Sequence, residues 1–212
     1  MVTVTAFKWV PPFAQGQVRD LRVRWALEEA GIPYRSKLIG FDDTPTPAYR
    51  THQPFGQVPA YEEDGFTMFE SGAIVLHIGE KSDILLPHDP VARARAITWL
   101  FCALNTIEVA VQGYGELFFH KGEAWVEQRR PQLVDRVNLR LKELAAALGD
   151  KPYLEGRFTV GDLMMSTVFR ILGDHPEFLA AQPTLAAYHA RCEARPAFQR
   201  ALAAQLGDFE KR

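Results

Sequence analysis

Apolar and polar residues alternate from Val2 to Lys8, the two-residue period of a β-strand. From Val18 to Ala30 the period changes to three and four, with Val23, Ala26, Leu27 and Ala30 on one helical face. Gly31-Ile32-Pro33 ends that helix, with glycine just past its last turn and proline soon after. A second strand is expected at Tyr34 to Ile39. Phe41 to Gln53, carrying Pro45 and Pro47, suits an irregular connection with at most a short helix. Two short strands follow, Val58 to Glu62 and Thr67 to Phe69, joined through Glu63-Asp64-Gly65, whose Asp-Gly pair readily takes positive φ. Ser71 then opens a helix through Lys81, with Ile74, Val75 and Ile78 on one side.

Beyond Pro87-His88-Asp89-Pro90 the pattern is helical throughout. Ala94, Ile97, Phe101, Leu104 and Glu108 repeat at three and four, as do Leu133, Val137, Leu141 and Leu144. Thr159-Val160-Gly161-Asp162 is a capping box, in which a hydroxyl and a carboxylate three residues apart satisfy each other's backbone N–H groups. Pro183 and Pro196 suit the first turn of two further helices, where a missing N–H costs little. The pattern predicts an α/β domain of order βαβ-ββα over 1–82, a linker over 83–89 and an all-α domain over 90–212.

Composition narrows the function classes. Of 212 residues, 47% are hydrophobic and 24% charged, the proportions of a water-soluble globular protein. A net charge of -2 removes the broad positive field of a nucleic-acid binder. Runs such as Ile97 to Leu104 are too short to span a bilayer, so no membrane partner is expected. The first residues lack the pattern of a secretory signal, which makes a cytoplasmic location the expectation. The two cysteines, Cys102 and Cys192, form no CxxC motif; they fit buried reduced thiols better than a disulfide scaffold, a metal site or a dithiol centre. No metal is expected.

Several segments, in order, carry a resemblance: Leu21 to Tyr34 through helix one into strand two, Pro54-Phe55-Gly56-Gln57-Val58-Pro59-Ala60-Tyr61, Phe69-Glu70-Ser71-Gly72-Ala73-Ile74, then Pro152-Tyr153-Leu154, Phe158 to Asp162 and Pro183-Thr184-Leu185. Together the chain resembles a cytosolic glutathione S-transferase. The resemblance implies a thioredoxin-like first domain that binds glutathione, a helical second domain and a symmetric homodimer. It further implies a detoxification enzyme that directs the glutathione thiolate at a small apolar electrophile or at a peroxide or disulfide bond.

The residues make chemical sense of that implication. Ser71 at a helix start supplies a hydroxyl beside unpaired N–H groups, suited to the γ-glutamyl carboxylate, and Glu70 suits the neighbouring ammonium. Either could equally be a plain helix cap. Val58 before Pro59 can pair with the cysteinyl backbone if the bond between them is cis, a geometry that the resemblance implies and the dipeptide alone does not. Gln57, or else His52 or Gln53, could reach the glycine carboxylate, or stand as solvated loop residues.

One feature departs from the resemblance. Such enzymes place a Tyr, Ser or Cys after strand one, whereas the segment from Lys8 to Ala30 contains no hydroxyl or thiol residue. The thiol-activating group is therefore open; Gln17 and Arg19 are candidates beside the backbone N–H groups of the helix start. Trp9, Pro11, Pro12 and Phe13, with Tyr114, Phe118 and Phe119, are expected to form an apolar wall for the second substrate between the domains, although aromatics at helical spacing are equally ordinary core. Two other functions fit the same residues: a non-catalytic glutathione-transferase-like binding or interaction protein, and a glutathione-dependent isomerase or dehalogenase.

Overall fold

A computed structural model describes residues 1–173 and 175–209. The chain divides into two compact units, residues 1–88 with 194–212, and residues 89–193.

The first unit begins β1 (Val2–Phe7), α1 (Asp20–Ala30) and β2 (Tyr34–Ile39), then a short α2 (Pro47–Arg50), β3 (Tyr61–Glu63), β4 (Phe66–Met68) and α3 (Ser71–Gly79). The sheet order is β2-β1-β3-β4. β1 and β2 are parallel, from Val2 opposite Tyr34 to Phe7 opposite Ile39, while β3 runs antiparallel to both β1 and β4. This is a thioredoxin-like domain with a mixed sheet. Alternation puts Val2, Val4 and Ala6 on one face of β1, fully buried, and α1 packs against β1 and α3. On the other face Phe7 and Val18 close over Ile39, Tyr49 and Val58.

The third strand is shorter than the period predicts. Ladder pairing begins only at Tyr61, because Pro59 has no N–H to give; before it a single bond, from Thr5 N–H to Ala60 C=O at 2.9 Å, joins this stretch to β1.

The C-terminal helix departs from the expected division. α10 (Pro196–Asp208) packs on α1 in the first unit, not with the helices of 90–193. Its Phe198 ring meets the Trp25 indole edge-on at 4.8 Å. Arg195 just before it grips Glu29 with two bonds of 2.6 and 2.7 Å. Gln205 Nε2 donates to the Asp20 carboxylate at 2.7 Å and to the Val18 carbonyl at 3.1 Å. A periodic stripe shows that a helix has an apolar face, but not which surface it covers, so the boundary at 90–212 does not describe the packing.

The second unit contains α4 (Pro90–Cys102), α5 (Glu108–Phe119), α6 (Ala124–Leu148), α7 (Val160–Phe169), α8 (Glu177–Ala180) and α9 (Pro183–Glu193). A π turn over Ala103–Ile107 makes α4 and α5 one continuous helix. Among the described residues this 30-residue stretch is the one helix long and apolar enough to cross a membrane, a length the interrupted runs of the sequence concealed. Its Ala96, Leu100, Ala103, Ile107, Ala110 and Val111 are buried, and it packs against α7, every residue of which is buried. The Thr159 hydroxyl and Asp162 carboxylate form the expected capping box at the start of α7. Cys102 is half-buried, Cys192 is buried, and neither forms a disulfide.

Candidate functional site

The start of α3 is built differently from an ordinary helix end. No side chain caps it, and the first backbone bond runs from Ile74 N–H to Glu70 C=O at 2.9 Å. The N–H groups of Ser71, Gly72 and Ala73 therefore have no partner within the helix. Glu70 leads into this turn in the left-handed region at φ 70° and is exposed, while Ser71 is buried. A non-glycine residue held there stores about 1–3 kcal/mol, a strain that commonly marks a binding turn.

The structure adds a residue that sequence reasoning missed. Arg22, on the first turn of α1 and 3% exposed, donates from Nη1 to Ser71 Oγ at 3.2 Å. A buried guanidinium thus stands behind the open helix end, where its charge and the N–H dipoles favour an anion.

The Val58–Pro59 peptide bond is cis, as the resemblance implies. Among the described residues, neither the N–H nor the C=O of Val58 has a hydrogen-bond partner, so both strand-forming groups are unused. Pro59 and Ala60 are buried behind it. Gln57 is exposed; its carbonyl accepts from the Tyr49 hydroxyl at 2.6 Å, which fixes the backbone and leaves the side chain in solvent. Of the alternatives, Gln53 is buried with its Oε1 accepting from the Phe55 N–H at 2.7 Å, and His52 lies 3.7 Å from Glu62.

The loop after β1 is braced internally. Gln17 Nε2 donates to the Phe13 carbonyl at 3.1 Å, and Gln15 Nε2 reaches the Val10 carbonyl at 3.4 Å. The N–H groups of Gln17, Leu21 and Arg22 go to the carbonyls of Ala14, Val18 and Arg19. α1 begins at Asp20, two residues later than the pattern predicts, with Arg19 half-buried at its cap position. Trp9 packs edge-on to Phe41 at 6.2 Å; Pro11 is half-buried and Phe13 exposed.

In the second unit Tyr114 is buried, its hydroxyl 3.2 Å from His175 Nδ1, while Phe118 is exposed and rests edge-on against Phe119 at 5.4 Å. A separate groove of about 910 Å³ lies between α1, β2 and α10 in the first unit, lined by Arg24, Tyr34, Arg200 and Asp208 among others; none of the candidate residues lines it.

Residues 21–81 match the family profile described as the glutathione S-transferase N-terminal domain. The disulfide-bond oxidoreductase YfcG of Escherichia coli is 28% identical over 197 residues, 86% of this chain and 89% of that one. A glutathione transferase from Burkholderia graminis, crystallised with two glutathione molecules bound per subunit, superposes with a TM-score of 0.81 at 26% identity, covering 96% of this chain and 88% of that one. A glutathione transferase family member from Pseudomonas fluorescens, also with two glutathione bound, gives 0.80 at 25%, covering 95% and 92%. A thioredoxin-like domain followed by a helical region is the fold that these matches share. Residues 21–81 thus carry a glutathione S-transferase N-terminal domain, and over most of its length the chain is similar to glutathione transferases.

Proposed function

We propose that this protein binds glutathione in its first unit and uses the bound thiol as the reacting group, in transfer to apolar electrophiles and in reduction of peroxide or disulfide bonds. The observation that carries the reading is the uncapped start of α3, with buried Ser71 and Arg22 at one side and the unpaired main chain of Val58 as a second anchor. Ser71 and the α3 N–H groups take the γ-glutamyl carboxylate, Glu70 its ammonium, Val58 the cysteinyl backbone and Gln57 the glycine carboxylate.

Disulfide chemistry is the activity we place first. The first unit contains no cysteine, so the protein offers no thiol there and the ligand must bring it. One glutathione thiolate attacks a disulfide sulfur and expels the other as thiolate. A second glutathione then attacks the glutathione sulfur of the mixed disulfide, releasing the second thiol and glutathione disulfide; two electrons pass from two glutathiones to one disulfide. The relatives support this order: one is named a disulfide-bond oxidoreductase, and two structures hold two glutathiones.

The β1–α1 loop contributes amide groups and the side chains of Gln17 and Arg19 near the thiol. Since no hydroxyl is available there, stabilisation comes from dipoles and amides worth about 0.3–1 kcal/mol each, and conjugation is slow. Trp9, Pro11 and Phe13 of the first unit are the proposed contacts of an apolar electrophile. The reading extends to a symmetric homodimer working in the cytoplasm on toxic electrophiles, supported by the family resemblance; sedimentation at micromolar concentration should give twice the chain mass, and a monomer mass rejects the dimer.

The test is glutathione-dependent reduction of 2-hydroxyethyl disulfide beside conjugation of 1-chloro-2,4-dinitrobenzene, in wild type and Cys102→Ser. Turnover that is unchanged by the substitution is expected. Turnover that vanishes with Cys102, or that glutathione does not support, overturns the reading.

A further inference from the structure

We infer that Arg22 is a positioning residue for the γ-glutamyl carboxylate, acting through Ser71: it takes the acceptor side of the serine hydroxyl and thereby turns the single hydroxyl proton toward the ligand. The inference rests on the function proposed above and goes one step further into the same site.

An arginine has only donors and stays charged in proteins. In the 3.2 Å contact with Arg22 Nη1, Ser71 Oγ must therefore be the acceptor. A hydroxyl has one proton, and with Arg22 on its oxygen that proton is directed away from α1. Both side chains are buried, Arg22 at 3% and Ser71 at 5% exposure, so water does not screen the contact. A cation on the oxygen also makes the O–H a stronger donor, since hydrogen bonds in a chain polarise one another.

Ser71 is the first residue of α3, so its outward proton stands beside the unpartnered N–H groups of the same turn. A carboxylate presents two oxygens, which suits one donated O–H and one or more N–H groups. The neighbouring Gly72 carries no side chain that could bring a second cation, leaving Arg22, 49 residues earlier in the chain, as the charge that reaches this hydroxyl. Lysine keeps the charge but not the rigid fork of donors, so it should substitute only in part.

The test uses titration calorimetry with two ligands: glutathione, and 4-aminobutyryl-cysteinyl-glycine, which lacks only the γ-glutamyl carboxylate. Arg22→Gln should weaken glutathione roughly 10- to 100-fold while leaving the shortened ligand within about twofold of wild type. Arg22→Lys should lose less. In a Ser71→Ala background Arg22→Lys should cost nothing further, a cycle that decides the matter even if Arg22→Gln does not fold. A wild type that fails to bind glutathione overturns the function proposed above. A wild type that binds, with Arg22 variants binding equally well or losing both ligands equally, overturns the role of Arg22 alone.

Discussion

The two units each begin one buried helix at a small hydroxyl residue, and the two beginnings are finished in opposite ways. At α7 the chain satisfies itself: Asp162 accepts from the N–H of Thr159 and of Leu154, both at 2.9 Å, from the Thr159 hydroxyl at 3.2 Å and from the Tyr188 hydroxyl at 3.0 Å. At α3 the hydroxyl belongs to the first helical residue and not to a cap, no carboxylate turns back, and an arginine stands behind it. A closed helix start stabilises the fold. An open one leaves donors for something the chain does not itself contain, and the stabilisation is then drawn from the ligand.

The comparison predicts where each start is sensitive. The largest effect belongs to Asp162→Ala, which leaves three buried donors and the Tyr188 hydroxyl without an acceptor; denaturant unfolding should show a loss of about 3–5 kcal/mol. Glutathione affinity of the surviving folded protein should hardly change.

Next comes pH. Burial raises the Asp162 carboxyl to about 6 from its ordinary 3.8, against the pull of its four donors. Between those values the folded protein holds a proton that the unfolded chain has released. This group's contribution is therefore greatest below about pH 4 and falls as pH rises through about 6, by on the order of 2–3 kcal/mol. Asp162→Asn should flatten that part of the stability–pH curve, and an unchanged slope would show that the carboxyl titrates normally.

Thr159→Ala removes only the hydroxyl half of the box and should cost about 1 kcal/mol in the same unfolding measurement. Ser71→Ala leaves every helix bond of α3 in place but takes one acceptor from the buried Arg22 guanidinium, at a cost of about 1 kcal/mol; a loss approaching that of Asp162→Ala would erase the contrast between the two starts.

The sequence carries much of this contrast and omits its decisive member. Thr159 to Asp162 is legible because a capping box is local, closed within four residues. Glu70-Ser71 and Val58-Pro59 are legible as a pair in order, although proline at 59 also shortens β3 in a way that alternation does not foresee. Arg22 is not legible. It sits between Leu21 and Val23 in a helix rich in charges, where an arginine reads as a solvated side chain, and only the packing of α1 on α3 brings it to Ser71. The same limit applies to α10: its stripe predicts a helix, while Trp25, Asp20 and Glu29 on α1 determine where it docks. Tyr114, expected as a pocket wall, has its hydroxyl on His175, a partner 61 residues away that no local pattern announces.

The central claim is that the open start of α3 is a glutathione site. Titration of glutathione into wild type and Ser71→Ala, each confirmed folded by its thermal unfolding, tests it most directly. The account predicts binding to wild type that weakens by about 1–3 kcal/mol in the variant, the loss of one hydrogen bond to a charged group. Equal affinity in the two proteins, or no binding to either, would contradict it.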